Sequence, residues 1–366
     1  MKETKWLFIA ISAIGGLLLS MTGLSIGWML GTLLAAMLIS FTKPNVLGKK
    51  GVPKYWLYAG QCILGIELGQ KINLSVLAVF QRDWAVIIIM LLLSIVFSLL
   101  SGVVLWKFSK TDMLTSFFST APGGLSAMPG IAEEVGANTA VVSILQTMRV
   151  FLVIFIIPIV VSVLVFHPSG ASAAQTAPSV FEWTSFGWTA VLAVTAYAGY
   201  HVGKKLKFPA PWLLGGMLST AIVQAGTSSV VGYDMQAYWP HEIMILSQIV
   251  IAASIGSRFR KEMFYGLKQT IAIAFISTVL FISAMFVCAY IVSKATGLAF
   301  MTAALAFAPG GVAEMATTAV VLNADATFVV AVQVLRIIAV ILVLPPVFRM
   351  LHAWETRKDT HSHASV

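Results

Sequence analysis

The chain has 366 residues, 59% of them hydrophobic and 10% charged, with a mean hydropathy of +0.93. A soluble domain carries roughly 25% charged residues, so a water-soluble globular protein is excluded and an all-α, polytopic integral membrane protein is expected. The net charge of +9 sits in short Lys/Arg clusters between apolar runs, which writes membrane orientation and not a nucleic-acid surface.

Taken in order, six apolar elements occupy residues 6–20, 24–41, 55–72, 84–106, 113–135 and 139–165. The first follows a short basic start and is read as an uncleaved helix, since no cleavage site with a polar mature start intervenes. Six more follow at 186–201, 209–223, 242–256, 270–292, 300–322 and 326–350. Cys62 and Cys288 are solitary within apolar runs and form neither a disulfide framework nor a metal site.

The second set repeats the first. Pro122, Gly123, Gly124, Gln146 and Arg149 fall on Pro309, Gly310, Gly311, Gln333 and Arg336, each pair 187 positions apart (309 − 122). Gly27-Trp28-Met29-Leu30-Gly31 matches Pro211-Trp212-Leu213-Leu214-Gly215 at an offset of 184 (212 − 28). Gln61 falls on Gln248, Gly69 on Gly256 and Lys71 on Arg258, again at 187. The expected organisation is a first membrane repeat (1–167), a Ser/Ala/Gly-rich linker (168–184), a second membrane repeat (185–350) and a polar cytoplasmic tail (351–366).

Placing the basic loops around 43–54, 204–207 and 258–268 and the basic C-terminal end in the cytoplasm turns the halves upside down relative to each other. Six elements per half then require one that does not cross fully. About ten crossings result, with both termini cytoplasmic and the protein in the cell membrane. Lys71, Arg82 and Lys294 fall on the wrong side of that scheme.

Pro-Gly-Gly breaks a helix, because proline removes a donor and glycine is conformationally free. Broken backbone at membrane depth is tolerated only in protein or beside a wet cavity. Paired breaks at matching positions point to a transporter binding site; the alternative is a pair of kinks or tight turns. A new helix is expected from Leu125 and Val312, its free N–H groups favouring an anion.

Each Arg lies three residues beyond its Gln, on one helix face with Asn138 or Asp325 three turns earlier. The arginines either hold a substrate anion or neutralise the end of a broken half-helix. Glu314, whose counterpart is Ala127, and Asp325 with Asn138 are the candidates for ion coupling through H⁺ or Na⁺. Glu67, Glu133 and Glu134 lack acidic counterparts, and Gln61 and Gln248 suit either a cavity wall or helix-to-helix hydrogen bonding. HExxH, GxSxG and Walker motifs are missing, so no enzyme activity and no cofactor are expected.

The doubled Ala-Pro-Gly-Gly, the Gln-x-x-Arg and the Pro211–Gly215 element resemble the membrane AbrB-duplication family, over about 6–349. More distantly the layout looks like the superfamily of cation/proton antiporters, bile-acid/sodium symporters and glutamate/sodium symporters. That resemblance implies inverted repeats with an interrupted helix in each half at the central site. Bile-acid symporters carry a Pro-Gly-Gly that Pro122, Gly123 and Gly124 match. The expected function is secondary transport of a small organic anion or amphiphile, with the lipid bilayer as surroundings, no nucleic-acid partner and room for a homo-oligomer. The alternative is a membrane-bound regulator or sensor of gene expression, following labels carried in the family; a monooxygenase label lacks any His-rich copper constellation.

Overall fold

A computed structural model describes residues 2–24, 26–43, 52–71, 75–121, 132–133, 136–164, 183–208, 210–231, 235, 237–259, 261, 266–340, 343–344 and 347. Thirteen helices run through them: α1 Lys2–Ser20, α2 Gly27–Thr42, α3 Lys54–Lys71, α4 Ser75–Phe108, α5 Met113–Thr120, α6 Thr139–Leu164, α7 Trp183–Lys205, α8 Pro211–Val231, α9 His241–Gly256, α10 Lys268–Thr296, α11 Phe300–Phe307 and α12 Val312–Val321, with α13 Ala326–Val340. Pro122, Gly123, Gly124, Glu134, Pro345, nearly all of the expected linker and the tail lie outside the described residues.

Among the described residues four helices are long and apolar enough to cross a membrane: Gln81–Phe108, Thr139–Val161, Pro211–Val231 and Lys268–Thr296. Large apolar side chains such as Ile89, Val194, Ile222 and Leu280 point outward. Among the described residues the buried charged side chains are Glu67, Asp83, Arg149 and Arg336. That distribution suits a hydrocarbon solvent, where apolar surface needs no burial and polar groups do.

The helices form two compact units, each drawing on both sequence halves. One comprises Met1–Arg82, Pro158–Lys261 and Val312–Val330; the other comprises Asp83–Ile157, Glu262–Gly311 and Ala331–Val366. Three of the passages from one unit to the other fall beside an irregularity of the backbone. Asp83 has non-helical φ −111°, ψ 17° inside α4, Pro158 sits inside α6, and Gly311 ends the interruption before α12.

In the first unit, small residues let backbones meet. Lipid tails are as apolar as leucine, so helices in a membrane associate through close packing. A Cβ on Gly15 of α1 would lie 2.7 Å from the Gly31 carbonyl of α2, and one on Gly31 would strike the Gly15 carbonyl. Gly199 of α7 and Gly215 of α8 exclude each other's Cβ in the same way, 184 positions later (199 − 15). The third elements reach across: a Cβ on Gly69 of α3 would lie 2.7 Å from the Met217 carbonyl of α8, and one on Gly256 of α9 would lie 2.8 Å from the Leu33 carbonyl of α2. Where α3 crosses α9, the Ser247 hydroxyl donates to the Gly60 carbonyl at 2.9 Å. Trp188 and Leu192 of α7 pack with Ile66 of α3, and the indole N–H of Trp188 donates to Gln224 at 3.0 Å.

The second unit is built around α5. Met113, Leu114, Phe117 and Phe118 form a core with Ile95 of α4, Val142 of α6 and Val340 of α13. Asp112 caps α5, its carboxylate accepting from the Thr115 amide at 2.8 Å. A second core joins Leu105 of α4, Leu145 and Met148 of α6 and Ala274 of α10. The ends of α4 and α10 are tied: Gln269 Nε2 donates to the Phe108 carbonyl at 3.1 Å.

Gly215→Val must push α7 from α8 and is expected to destabilise the protein by about 1–3 kcal/mol. Gly187→Val, at a position with open space around its Cβ, should leave the melting temperature within about 1 °C of wild type, reflecting the near-neutrality of open surface sites. Thermal unfolding of the two purified variants checks the contrast.

Candidate functional site

Two helices are only eight residues long. α5 ends at Thr120 and α11 at Phe307, because the next residue in each case precedes proline and is forced into extended backbone. Ala121 has φ −62°, ψ 128° and Ala308 has φ −58°, ψ 138°. After Pro309, Gly310 and Gly311, α12 begins at Val312, the helix start expected in the second half. The Leu125 counterpart lies outside the described residues.

A helix end leaves its last carbonyls without intrahelical donors, and here they are buried. The Gln-x-x-Arg pairs supply the donors. Gln146 Nε2 donates to the Phe118 carbonyl at 2.8 Å, and Gln333 Nε2 donates to the Leu305 carbonyl at 2.9 Å and to that of Ala308 at 3.0 Å. Arg149 Nη1 donates to the Thr120 carbonyl at 2.9 Å and the Ala121 carbonyl at 2.8 Å. Arg336 reaches the Ala308 carbonyl through Nη1, and through Nη2 the Gly310 carbonyl at 2.6 Å and Gln333 Oε1. The partners are equivalent in the two halves: Phe118 and Leu305 are 187 apart (305 − 118), as are Ala121 and Ala308.

Both guanidiniums are buried, Arg149 at 5% and Arg336 at 2% exposure. Among the described residues the ion pair is Glu67 with Lys71, at 2.5 Å, and neither arginine meets a carboxylate. Each also keeps an Nε–H without a hydrogen-bond partner among the described residues. Beside Arg149 a cavity of about 10 Å³ is edged by Ser101, Ser119, Ser277 and Thr278, room for about one water among hydroxyl groups. The arginines therefore donate to the ends of the two interrupted helices.

The other candidates separate from them. Asn138 and Asp325 are exposed and act as helix N-caps. Asn138 Oδ1 accepts from the Val141 amide at 3.2 Å and Asp325 Oδ1 from the Phe328 amide at 2.9 Å. Glu314 stands half-buried in the first turn of α12. Gln61 and Gln248 are buried on α3 and α9, in the first unit. Glu133 is exposed. The carbonyl acceptors of Thr120, Ala121, Ala308 and Gly310 were not anticipated; the residue preceding each proline was the signal that could have found them.

The chain is also similar to known proteins. Residues 28–352 match the family model described as "Transition state regulatory protein AbrB", so the chain belongs to the AbrB family. It is 52% identical over 369 residues to "Uncharacterized protein YhjN" of Bacillus subtilis (strain 168), covering 98% of this chain and 96% of the relative. It is 25% identical over 344 residues to "Putative regulator AbrB" of Escherichia coli (strain K12), covering 92% and 95%.

Gln333→Leu strands buried carbonyls at the end of α11 and should lower stability by about 1–3 kcal/mol. As caps, Asp325→Asn should be nearly neutral while Asp325→Ala costs about 1 kcal/mol. Thermal melts compare all three; equal losses in the two Asp325 variants would show that its charge does more than cap.

Proposed function

We propose that this protein is a secondary transporter of a small organic anion or amphiphile, coupled to H⁺ or Na⁺. Its halves are inverted and cross the cell membrane about ten times with both termini cytoplasmic. The observation that carries this reading is the pair of buried guanidiniums at equivalent positions, bound to carbonyls of two broken helices. An uncompensated charge inside a membrane protein is costly and marks a ligand path. A carboxylate or sulfonate received by the two Nε–H groups would give the arginines planar, charge-assisted partners. The tie between the end of α4 and the start of α10, equivalent helices of the two halves, supports inversion. Glu314 is the group assigned to ion coupling, since the other half offers Ala127 in its place.

The alternative is a membrane-bound regulator or sensor, favoured by the printed name of the Escherichia coli relative. It requires binding without flux.

A thermal-shift screen of the purified protein against carboxylates, sulfonates, amino acids and Na⁺ identifies a ligand, and proteoliposome uptake then separates the two readings. Arg336→Lys, which keeps charge but loses the planar fork, should reduce uptake about a hundredfold, the factor set by roughly 3 kcal/mol for a buried charged contact. Unchanged uptake would make the arginine purely a helix-end partner. Glu314→Gln should abolish the response of uptake to a pH or Na⁺ gradient; a gradient response identical to wild type removes it from coupling.

A further inference from the structure

The two buried arginines stand at equivalent positions of the repeat, yet their surroundings differ. Arg149 borders the cavity of about 10 Å³ in the second unit, with Ser101 of α4, Ser119 of α5 and Ser277 and Thr278 of α10 on its walls. Phe281 adds an apolar wall. At the offset of 187 the four hydroxyl residues fall on Cys288 (288 − 101), Ala306 (306 − 119), Met90 (277 − 90) and Leu91 (278 − 91). The repeat therefore offers Arg336 no hydroxyl group at any of these positions. The space that touches Ala308, whose carbonyl accepts from Arg336, is edged by the apolar Ile282, Met285 and Phe286. The repeat holds for the donors to the helix ends and fails for the groups around them.

Two independent observations point to an anion beside Arg149. The first is a donor left over. Arg149 uses Nη1 on the Thr120 and Ala121 carbonyls, while its Nε–H is buried without a hydrogen-bond partner. The residue is 5% exposed, and among the described residues no carboxylate pairs with it. A buried donor left unmade on a charged group is costly. The second is the wall itself. The hydroxyls of Ser119 and Ser277 donate to the Thr115 and Ala274 carbonyls of their own helices, at 2.6 and 3.1 Å. Such local bonds are exchangeable, and a hydroxyl hydrogen turns toward an anion placed beside it. The carbonyls it leaves keep their bonds within the helix.

Size then selects the ligand. Space of this order takes a single atom-sized occupant. A carboxylate, sulfonate or phosphate group has several heavy atoms and does not fit whole; a water molecule and a chloride ion both fit. Water would satisfy the Nε–H but leave the buried charge uncompensated, which is expensive in apolar surroundings. A chloride ion answers both needs.

We propose that this cavity binds one chloride ion, held by the Arg149 Nε–H and by the hydroxyls of Ser101, Ser119, Ser277 and Thr278. The site goes beyond the transport reading and does not rest on it, since chloride here is a counter-ion to Arg149 whatever the substrate. An organic anion that engages the Nε–H groups of both arginines must displace it, so the two compete.

The test is equilibrium binding of radiolabelled chloride to the purified full chain in neutral detergent. Organic anions are left out, and sodium sulfate, too large for the cavity, holds the ionic strength constant. Wild type should bind one chloride per chain saturably, and bromide should displace it. Ser277→Ala with Thr278→Val should weaken binding about tenfold or more, as loss of hydrogen bonds to a charged group requires. Ser119→Ala, which introduces the residue of the other half, should weaken it about threefold or more. Ser283→Ala, at an exposed hydroxyl elsewhere on α10, should change nothing. All these substitutions spare the side chains that donate to the helix ends, and size-exclusion elution at the wild-type volume confirms that the variants fold. Absence of saturable chloride binding to wild type means that water fills the cavity and overturns the proposal. Binding that the wall variants leave unchanged places the ion elsewhere and overturns it too. Neither result bears on uptake of an organic anion, and failed uptake would leave the chloride site standing.

Discussion

A helix that ends inside a membrane protein leaves carbonyl groups where no water can reach them, and the architecture of the second unit answers that problem. Pro309, at the equivalent position to Pro122, stops the preceding helix by forcing extended backbone on Ala308, and Ala121 adopts the same conformation. The carbonyls so exposed would each cost several kcal/mol in a hydrocarbon setting. Glutamine supplies a neutral amide for the deeper carbonyls and arginine a charged fork for those at the very end. The negative end of a helix dipole makes arginine the better choice there. The result is two fixed positive charges deep in the unit, obtained as part of the solution to a backbone problem.

The first unit solves a different problem, how helices hold together when the solvent is as apolar as their side chains. Its contacts are between backbones, at Gly15 with Gly31, Gly199 with Gly215, Gly69 with Met217 and Gly256 with Leu33. These come in matched pairs at the same spacings as the sequence repeat. Each compact unit takes segments from both halves of the chain, so neither half contains a complete core of its own. The spatial units therefore cut across the two matching sets of elements in the sequence.

Where the two halves differ, the chemistry becomes specific. Glu314 replaces Ala127, Asp325 replaces Asn138, and Ser119 and Ser277 stand opposite Ala306 and Met90. Asp325 and Asn138 nonetheless do the same work as helix caps, so that exchange is conservative in structure. The exchanges at Glu314 and at the two serines alter local charge and polarity without altering a helix. Membership of the AbrB family covers the shared scaffold, and these asymmetric positions are where this chain sets its own charge pattern.

The sequence by itself determined the membrane-type composition, the repeat with its two offsets, the start of α12 after the Gly310-Gly311 break and the pairing of Gln with Arg on one helix face. Those features are local or periodic: propensity, helix-breaking residues and three-residue spacing are legible without knowing what packs on what. Only the tertiary structure decided that Gln146 and Arg149 serve carbonyls 28 or 29 positions earlier, and that Asn138 and Asp325 sit as exposed caps away from the buried arginines. The division into units that mix the halves, and the meeting of Ser119 with Ser277 beside Arg149, were equally unreadable. These depend on which helices come together, a matter of long-range packing that leaves no period, motif or matched spacing in the chain.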